Sequence, residues 1–142
     1  MQAMFYYLRE MRAYTKQHPA EYYSTLPKVY FLSFDGEPFY IGLTRLSLMK
    51  RRCDSIGDCR TNSSKVNQFI YHKLYKENKT LEINLIEVVT DEKFDLYLEE
   101  YWINQFKQWG FTLFNQYKVK PPKRLQIRDC GRYIKAGIMP PI

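Results

Sequence analysis

The stretch Val29-Tyr-Phe-Leu-Ser-Phe-Asp-Gly-Glu-Pro-Phe-Tyr-Ile-Gly42 decides the fold, because it predicts two strands joined by a tight turn. Residues 28–34 are rich in β-branched and aromatic side chains, which favour strands. Asp35-Gly36 follows, and both residues tolerate the positive φ that a short hairpin turn requires. Residues 39–42 then form the returning strand, so at least one strand pair is antiparallel.

Helices are predicted on both sides of this hairpin, together with one more strand. The predicted helices span 3–17, 47–55, 64–77 and 91–109, and the further strand spans 82–89. The first helix has an apolar stripe at spacings of three and four, made of Met4, Tyr7, Leu8, Met11 and Tyr14. We expect this stripe to pack on the domain, with a dimerisation face as the alternative. Ser47 is the predicted N-cap of the second helix, and Gly110 ends the last one.

The order of these elements predicts the fold class. A helix comes first, then the hairpin, two helices, a strand, a long helix and a short extended segment at 111–115. This order favours an α+β domain, layered α/β/α, in which helices flank a small three-stranded antiparallel or mixed sheet. Residues 19–27 are expected to be a short connector, and residues 56–63 a polar loop.

Composition sets limits on the class of protein. The chain has 142 residues, of which 45% are hydrophobic, so one domain with a substantial core is expected. The net charge of +7 favours a polyanionic partner. No apolar run reaches about 18 residues, so no membrane span is expected. Three cysteines and no recognisable signal peptide predict reduced thiols and a cytoplasmic location.

A set of five residues occurs in an order that resembles a known family. Tyr30 lies on the first hairpin strand, Tyr40-Ile-Gly on the second, and Arg51 on the helix that follows. Glu99 lies in the long helix, and Asn115 ends the segment Leu-Phe-Asn. Across about 28–117 this pattern resembles the GIY-YIG nuclease family, and it is closest to the phage homing-endonuclease branch.

The resemblance implies a division of the chain into three parts. Residues 1–27 would be an N-terminal helix and connector, 28–117 the GIY-YIG-like catalytic domain, and 118–142 a basic, proline-containing tail. The protein would be a metal-dependent DNA endonuclease, active as a monomer or a homodimer. RNA is the alternative substrate, and the compartment would be the host cytoplasm if the chain is phage-encoded.

The chain also departs from the family pattern. Lys28 stands where the first motif has a glycine. The interval from Tyr40 to Arg51 is one residue longer than usual, so Lys50 or Arg52 is the alternative motif cation. A histidine found in some branches is absent, and Asn62 or Ser63 stands near its place.

The resemblance assigns a role to each residue of the set. Tyr30 would act as base or water-positioning group, with Tyr40 as its hydrogen-bonded partner. A nearby cation and metal would lower the pKa of the tyrosine. Arg51 would contact the phosphate through planar, paired donors. Glu99 would be the ligand of Mg²⁺ or Mn²⁺, and Asn115 would orient groups around the metal or base.

Basic residues along the chain are the predicted contacts to DNA. They are Lys50, Arg51, Arg52, Lys65, Arg132 and Lys135. Two other functions stay open at this point. One is a catalytically silent nucleic-acid-binding protein that retains the fold, and the other is a structural or regulatory protein that acts through protein contacts.

Overall fold

A three-stranded antiparallel sheet forms the centre of the molecule, which confirms the predicted fold class. The structure is a computed structural model that describes residues 2–89, 91 and 95–115. Its strands are β1 (Lys28–Phe34), β2 (Glu37–Thr44) and β3 (Glu82–Val88). They lie in the order β2-β1-β3. The central strand β1 is therefore buried along its whole length, while β2 and β3 each have one free edge.

The helices largely match the predicted ones. They are α1 (Gln2–Gln17), α2 (Pro19–Tyr23), α3 (Leu48–Asp58), α4 (Lys65–Tyr71) and α5 (Asp95–Gln108). The predicted cap is confirmed, because the Ser47 hydroxyl accepts a hydrogen bond of 3.2 Å from the backbone N–H of Lys50. A π-helical turn over His72–Lys76 continues α4 within the segment predicted as one helix.

Two predicted connecting segments contain helical residues. The connector at 19–27 includes α2, because Pro19 occupies a first helical turn, where the missing N–H leaves no hydrogen bond unmade. The helix α3 continues to Asp58 rather than ending near Ser55. Ser55 is buried and its carbonyl accepts from the Cys59 N–H, so packing extends the helix beyond its local signal.

Each face of the sheet carries its own apolar core, which gives the α/β/α layering. Side chains alternate along β1, so Val29 and Phe31 lie in one cluster with α1 and α5. Tyr30 and Leu32 lie in the other cluster, which includes Leu48 of α3 and residues of α4. The sheet is therefore covered on both faces.

The helix α1 packs on the sheet, as its apolar stripe predicts. Tyr7, Leu8 and Met11 are buried in the same cluster as β1 and α5. At the free edge of β3, the Thr15 hydroxyl accepts a hydrogen bond of 2.9 Å from the backbone N–H of Leu85. The side chain of Met4, residues 92–94 and the tail at 118–142 lie outside the described part of the chain. Of the helices described, none combines the length and the apolar composition needed to cross a bilayer.

Candidate active site

The candidate site is built along the free edge of β2. Asn115 binds this edge as a short strand would, with Oδ1 accepting from the Ile41 N–H at 2.9 Å and Nδ2 donating to the Ile41 carbonyl at 2.7 Å. One residue earlier, the Phe114 N–H donates to the Phe39 carbonyl at 2.9 Å. Residues 111–115 therefore shield the outward backbone groups of β2. The side-chain amide of Asn115 therefore holds β2 in position through the backbone of Ile41.

Glu99 reaches the same edge from α5. Its carboxylate accepts a hydrogen bond from the backbone N–H of Leu43, two residues beyond Ile41 on β2. The helix is anchored on the sheet by buried Trp102, whose indole N–H donates to the carboxylate of Glu87 on β3 at 2.5 Å. Glu99 and Trp102 are three residues apart, so this anchor also directs Glu99 towards the sheet.

Tyr30 and Arg51 meet on the face covered by α3 and α4. The Tyr30 hydroxyl accepts a hydrogen bond of 3.0 Å from Nε of Arg51, and only 2% of Tyr30 is exposed. The ring lies directly over Gly42, its register partner on β2. A Cβ at position 42 would lie within 3.0 Å of the Cε1, Cζ and hydroxyl oxygen of Tyr30. Glycine is therefore required here for the close approach of the ring.

A β-bulge helps to direct Tyr30. Val29 pairs with Glu87 of β3 but Tyr30 pairs with Leu85, so Ile86 is an extra residue between them. Bulges of this kind turn nearby side chains and occur often beside functional sites.

The structure distinguishes the three consecutive cations at the start of α3. Arg51 is half-buried and contacts Tyr30. Lys50 is exposed and forms an ion pair of 2.8 Å with Asp54. Arg52 donates from Nε to the Leu81 carbonyl at 2.7 Å. Because successive helix positions differ by about 100°, only one of the three points to the motif tyrosine, and it is Arg51.

Burial controls the electrostatics of the two tyrosines. It raises the pKa of Tyr30 to about 12, although Arg51 favours the ionised form. Burial also raises the pKa of Tyr40, and the Glu99 carboxylate adds to this effect while Arg51 opposes it. The lowering that the resemblance implies depends on a metal as well as on the cation. In the protein alone, desolvation therefore outweighs the nearby cation.

Glu99 is a carboxylate held where its charge is poorly compensated. Burial raises its pKa to about 7, Asp95 and Glu100 add to the rise, and the hydrogen bond from Leu43 opposes it. Glu99 lies close enough to Tyr30 and Tyr40 to raise the pKa of both. These four groups, Tyr30, Tyr40, Arg51 and Glu99, therefore form one interacting set at the edge of the sheet.

Sequence reasoning did not foresee the role of Lys28. It is fully buried, and its Nζ donates to the carbonyls of Ser24 at 2.7 Å and Leu46 at 2.9 Å. It thus ties the connector before β1 to the turn before α3. No pattern indicated this, because both acceptors are backbone carbonyls, which every residue carries.

The other predicted contacts are not part of this set. Lys65 is exposed at the start of α4, and Asn62 and Ser63 are exposed in the preceding loop. Arg132 and Lys135 lie outside the described residues. Within 2–89, 91 and 95–115 there is no group of three or more His, Cys, Asp or Glu that could hold a metal ion.

No family model, curated protein or solved structure matches the chain. We therefore infer the function from the geometry of the site.

The close packing of Gly42 against Tyr30 makes a testable prediction. Gly42→Ala should lower the free energy of unfolding by about 1–3 kcal/mol, because the added Cβ displaces a buried ring. In a Tyr30→Leu background the same change should have almost no effect, since leucine lacks the three ring atoms that meet the Cβ. Denaturant unfolding of the four proteins measures this coupling. Equal effects in the two backgrounds would contradict the packing described here.

The raised pKa of Glu99 predicts a pH-dependent stability difference. Its folded pKa of about 7 lies above its ordinary value of 4.5, so ionising it destabilises the fold as pH rises through this window. Glu99→Gln should therefore stabilise the protein at pH 8 by about 1–2 kcal/mol, allowing for solvent around the carboxylate, and have little effect at pH 4.5. Melting temperatures across this range measure it, with the exposed Glu37→Gln as control. A stabilisation independent of pH would show that Glu99 is not the titrating group.

Proposed function

We propose that the protein is an endonuclease that hydrolyses phosphodiester bonds of DNA with the help of a divalent cation. The observation that carries the proposal is the hydrogen bond between the Tyr30 hydroxyl and Arg51, with Glu99 interacting electrostatically with both motif tyrosines. A buried tyrosine, a fixed guanidinium and a poorly compensated carboxylate are a set suited to phosphoryl chemistry.

Arg51 supplies the positive charge for the phosphate. Hydrolysis concentrates negative charge on the non-bridging oxygens in the transition state, and a planar guanidinium stabilises it through two parallel donors. Nε of Arg51 is held by Tyr30, which fixes the plane of the group. The terminal nitrogens then have a defined direction, and this preorganisation is what a lysine would lack.

Tyr30 is proposed to hold the attacking water. Its hydroxyl accepts from Arg51, so its own proton is available to a second group. With a pKa of about 12 it is neutral near pH 7 in the protein alone. Orienting a water is therefore its favoured role, and proton acceptance would require further positive charge beside the hydroxyl.

Glu99 is the residue that fits a divalent cation. A half-buried carboxylate with a pKa raised to about 7 is more easily ionised when a cation lies against it. Mg²⁺ prefers oxygen ligands and is commonly held by one or two carboxylates, waters and substrate phosphate. When bound, Mg²⁺ or Mn²⁺ would supply charge stabilisation to the phosphate and lower the pKa of a bound water.

DNA is the proposed substrate and the cytoplasm the proposed compartment. The net charge of +7 supports a polyanionic partner. The odd number of cysteines, three, means that they cannot all pair with one another, which favours a reducing compartment.

The central experiment is cleavage of supercoiled plasmid with Mg²⁺ or with EDTA. The wild-type protein should cut only with Mg²⁺, and Glu99→Gln should reduce cutting to background because it removes the charge a hard cation requires. Binding of the same plasmid in EDTA should persist, since Glu99 adds a negative charge near the phosphates. Glu100→Gln is the matched control, because that position points about 100° away around α5.

The outcomes separate the candidate functions. Cutting by Glu99→Gln at the wild-type rate would rule out the carboxylate as the metal ligand. Plasmid binding without any cutting by the wild-type protein would favour the catalytically silent binder.

Tyr30→Phe tests the role of the hydroxyl. The ring and its packing on Gly42 are kept, but the group that bonds Arg51 is lost. Single-turnover cleavage should fall by roughly 10²-fold, the cost of a misplaced reacting group, while plasmid affinity stays near wild type. Tyr23→Phe, at an exposed position on α2, should cut normally. Normal cutting by Tyr30→Phe with loss in Tyr40→Phe would show that the two tyrosines exchange the proposed roles.

A further inference from the structure

A cavity of about 430 Å³ lies between the loop after α3 and the α4–π-helical segment. Its described lining is polar, aromatic and basic, and includes Arg60, Asn62, Gln68, Tyr71, His72 and Lys76. None of the candidate active-site residues lines it, and no carboxylate is among the described lining residues. The volume suits a single nucleotide rather than a duplex.

An exposed aromatic ring forms one wall of this cavity. Tyr71 is 41% exposed, and its ring centroid lies 4.9 Å from that of Tyr75, one turn further on. Nε of Arg60 donates to the Tyr75 hydroxyl at 2.7 Å, and the guanidinium lies 5.2 Å from the centre of that ring. Tyr71 therefore packs against a second aromatic ring while part of it faces solvent.

The backbone beneath Tyr71 is unusual. A π-helical turn begins directly after it, and the Glu77 N–H donates to the His72 carbonyl at 3.1 Å. Such turns are rare and occur frequently at functional sites. No local sequence signal requires a π-helical turn at this position.

Polar groups around the ring match the needs of a nucleotide. Arg60 and Lys76 provide positive charge for phosphate. Oδ1 of Asn62 accepts from the Ser64 N–H, and Nε2 of Gln68 donates to the Ser63 carbonyl. Each amide is thereby fixed, with its other polar atom, Nδ2 of Asn62 or Oε1 of Gln68, available to the edge of a base.

We infer that this cavity binds an unpaired nucleotide of the DNA substrate. Its base stacks on Tyr71, and its phosphates lie beside Arg60 and Lys76. Bases in a duplex cannot present their faces, whereas unpaired bases stack on aromatic side chains regardless of sequence. The inference rests on the proposed function in taking DNA as the substrate. It narrows that substrate to DNA with unpaired nucleotides near the cut.

The distance to the candidate active site is consistent with a shared substrate. Arg51 lies in the first turn of α3, and Arg60 follows the end of the same helix. The seven helical steps from Arg51 to Asp58 span about 10 Å, which corresponds to about three steps of a paired DNA strand, and Arg60 lies two residues further on.

The test compares two labelled DNAs in EDTA, a duplex with three unpaired adenines and the fully paired duplex of the same flanking sequence. The wild-type protein should prefer the unpaired form. Tyr71→Leu should remove the preference by weakening that complex roughly 5- to 150-fold, the range of stacking on one aromatic side chain. Tyr71→Phe should keep the preference, because the ring remains. Tyr23→Leu, at another exposed tyrosine, should also keep it.

Each result bears on one proposal or the other. Equal affinity of the wild-type protein for both DNAs, or an unchanged preference in Tyr71→Leu, would overturn the inference. A preference that depends on Tyr71 in a protein that cuts no DNA with Mg²⁺ would support the inference and overturn the nuclease function. Thermal melting of each variant shows that it is folded, and Tyr71→Phe separates loss of stacking from loss of structure.

Discussion

The free edge of β2 is the constraint on which the candidate site depends. An edge strand presents outward N–H and C=O groups at every second residue, and a folded protein must pair or cover them. Here the backbone of 111–115, the amide of Asn115 and the carboxylate of Glu99 meet three alternate residues of β2. The contact of Glu99 with Leu43 therefore covers part of the edge and also places the carboxylate near Tyr40. The other edge, at β3, is met by the Thr15 hydroxyl of α1.

The site holds polar groups where the fold would otherwise place apolar ones. Tyr30 and Arg51 are hydrogen-bonded to each other within an apolar face. Position 42 is a glycine, and the absence of a side chain there allows the Tyr30 ring to approach. Burial keeps Tyr30 neutral and moves the pKa of Glu99 to about 7. Both shifts arise from desolvation, which destabilises the charged forms in the free protein. Such local conflicts with stability are expected at functional sites rather than in ordinary cores.

Local signals were sufficient for most of the secondary structure. The residue types of 28–34 predicted β1 with its correct bounds, and Asp35-Gly36 forms the turn with positive φ at both residues. The errors differ in cause. Pro19 begins α2, and no local signal requires the π-helical turn. The extension of α3 depends on packing that overrides the local sequence. Gly57 is an example: it would weaken an isolated helix, yet it lies inside α3 because Ser55 is buried beside it.

By itself, the sequence determined the layered fold and the residue types of the site, because hydrophobic periodicity and turn chemistry are local properties. It also placed Tyr30 and Tyr40 on paired strands, since the hairpin turn sets the register. Only the tertiary structure decided that Arg51, and neither neighbouring cation, meets Tyr30, and that the Asn115 amide is used to bind β2. It also decided the sign of the tyrosine pKa shifts. Helix rotation against the sheet and depth of burial arise from contacts between distant segments, and no local pattern carries that information.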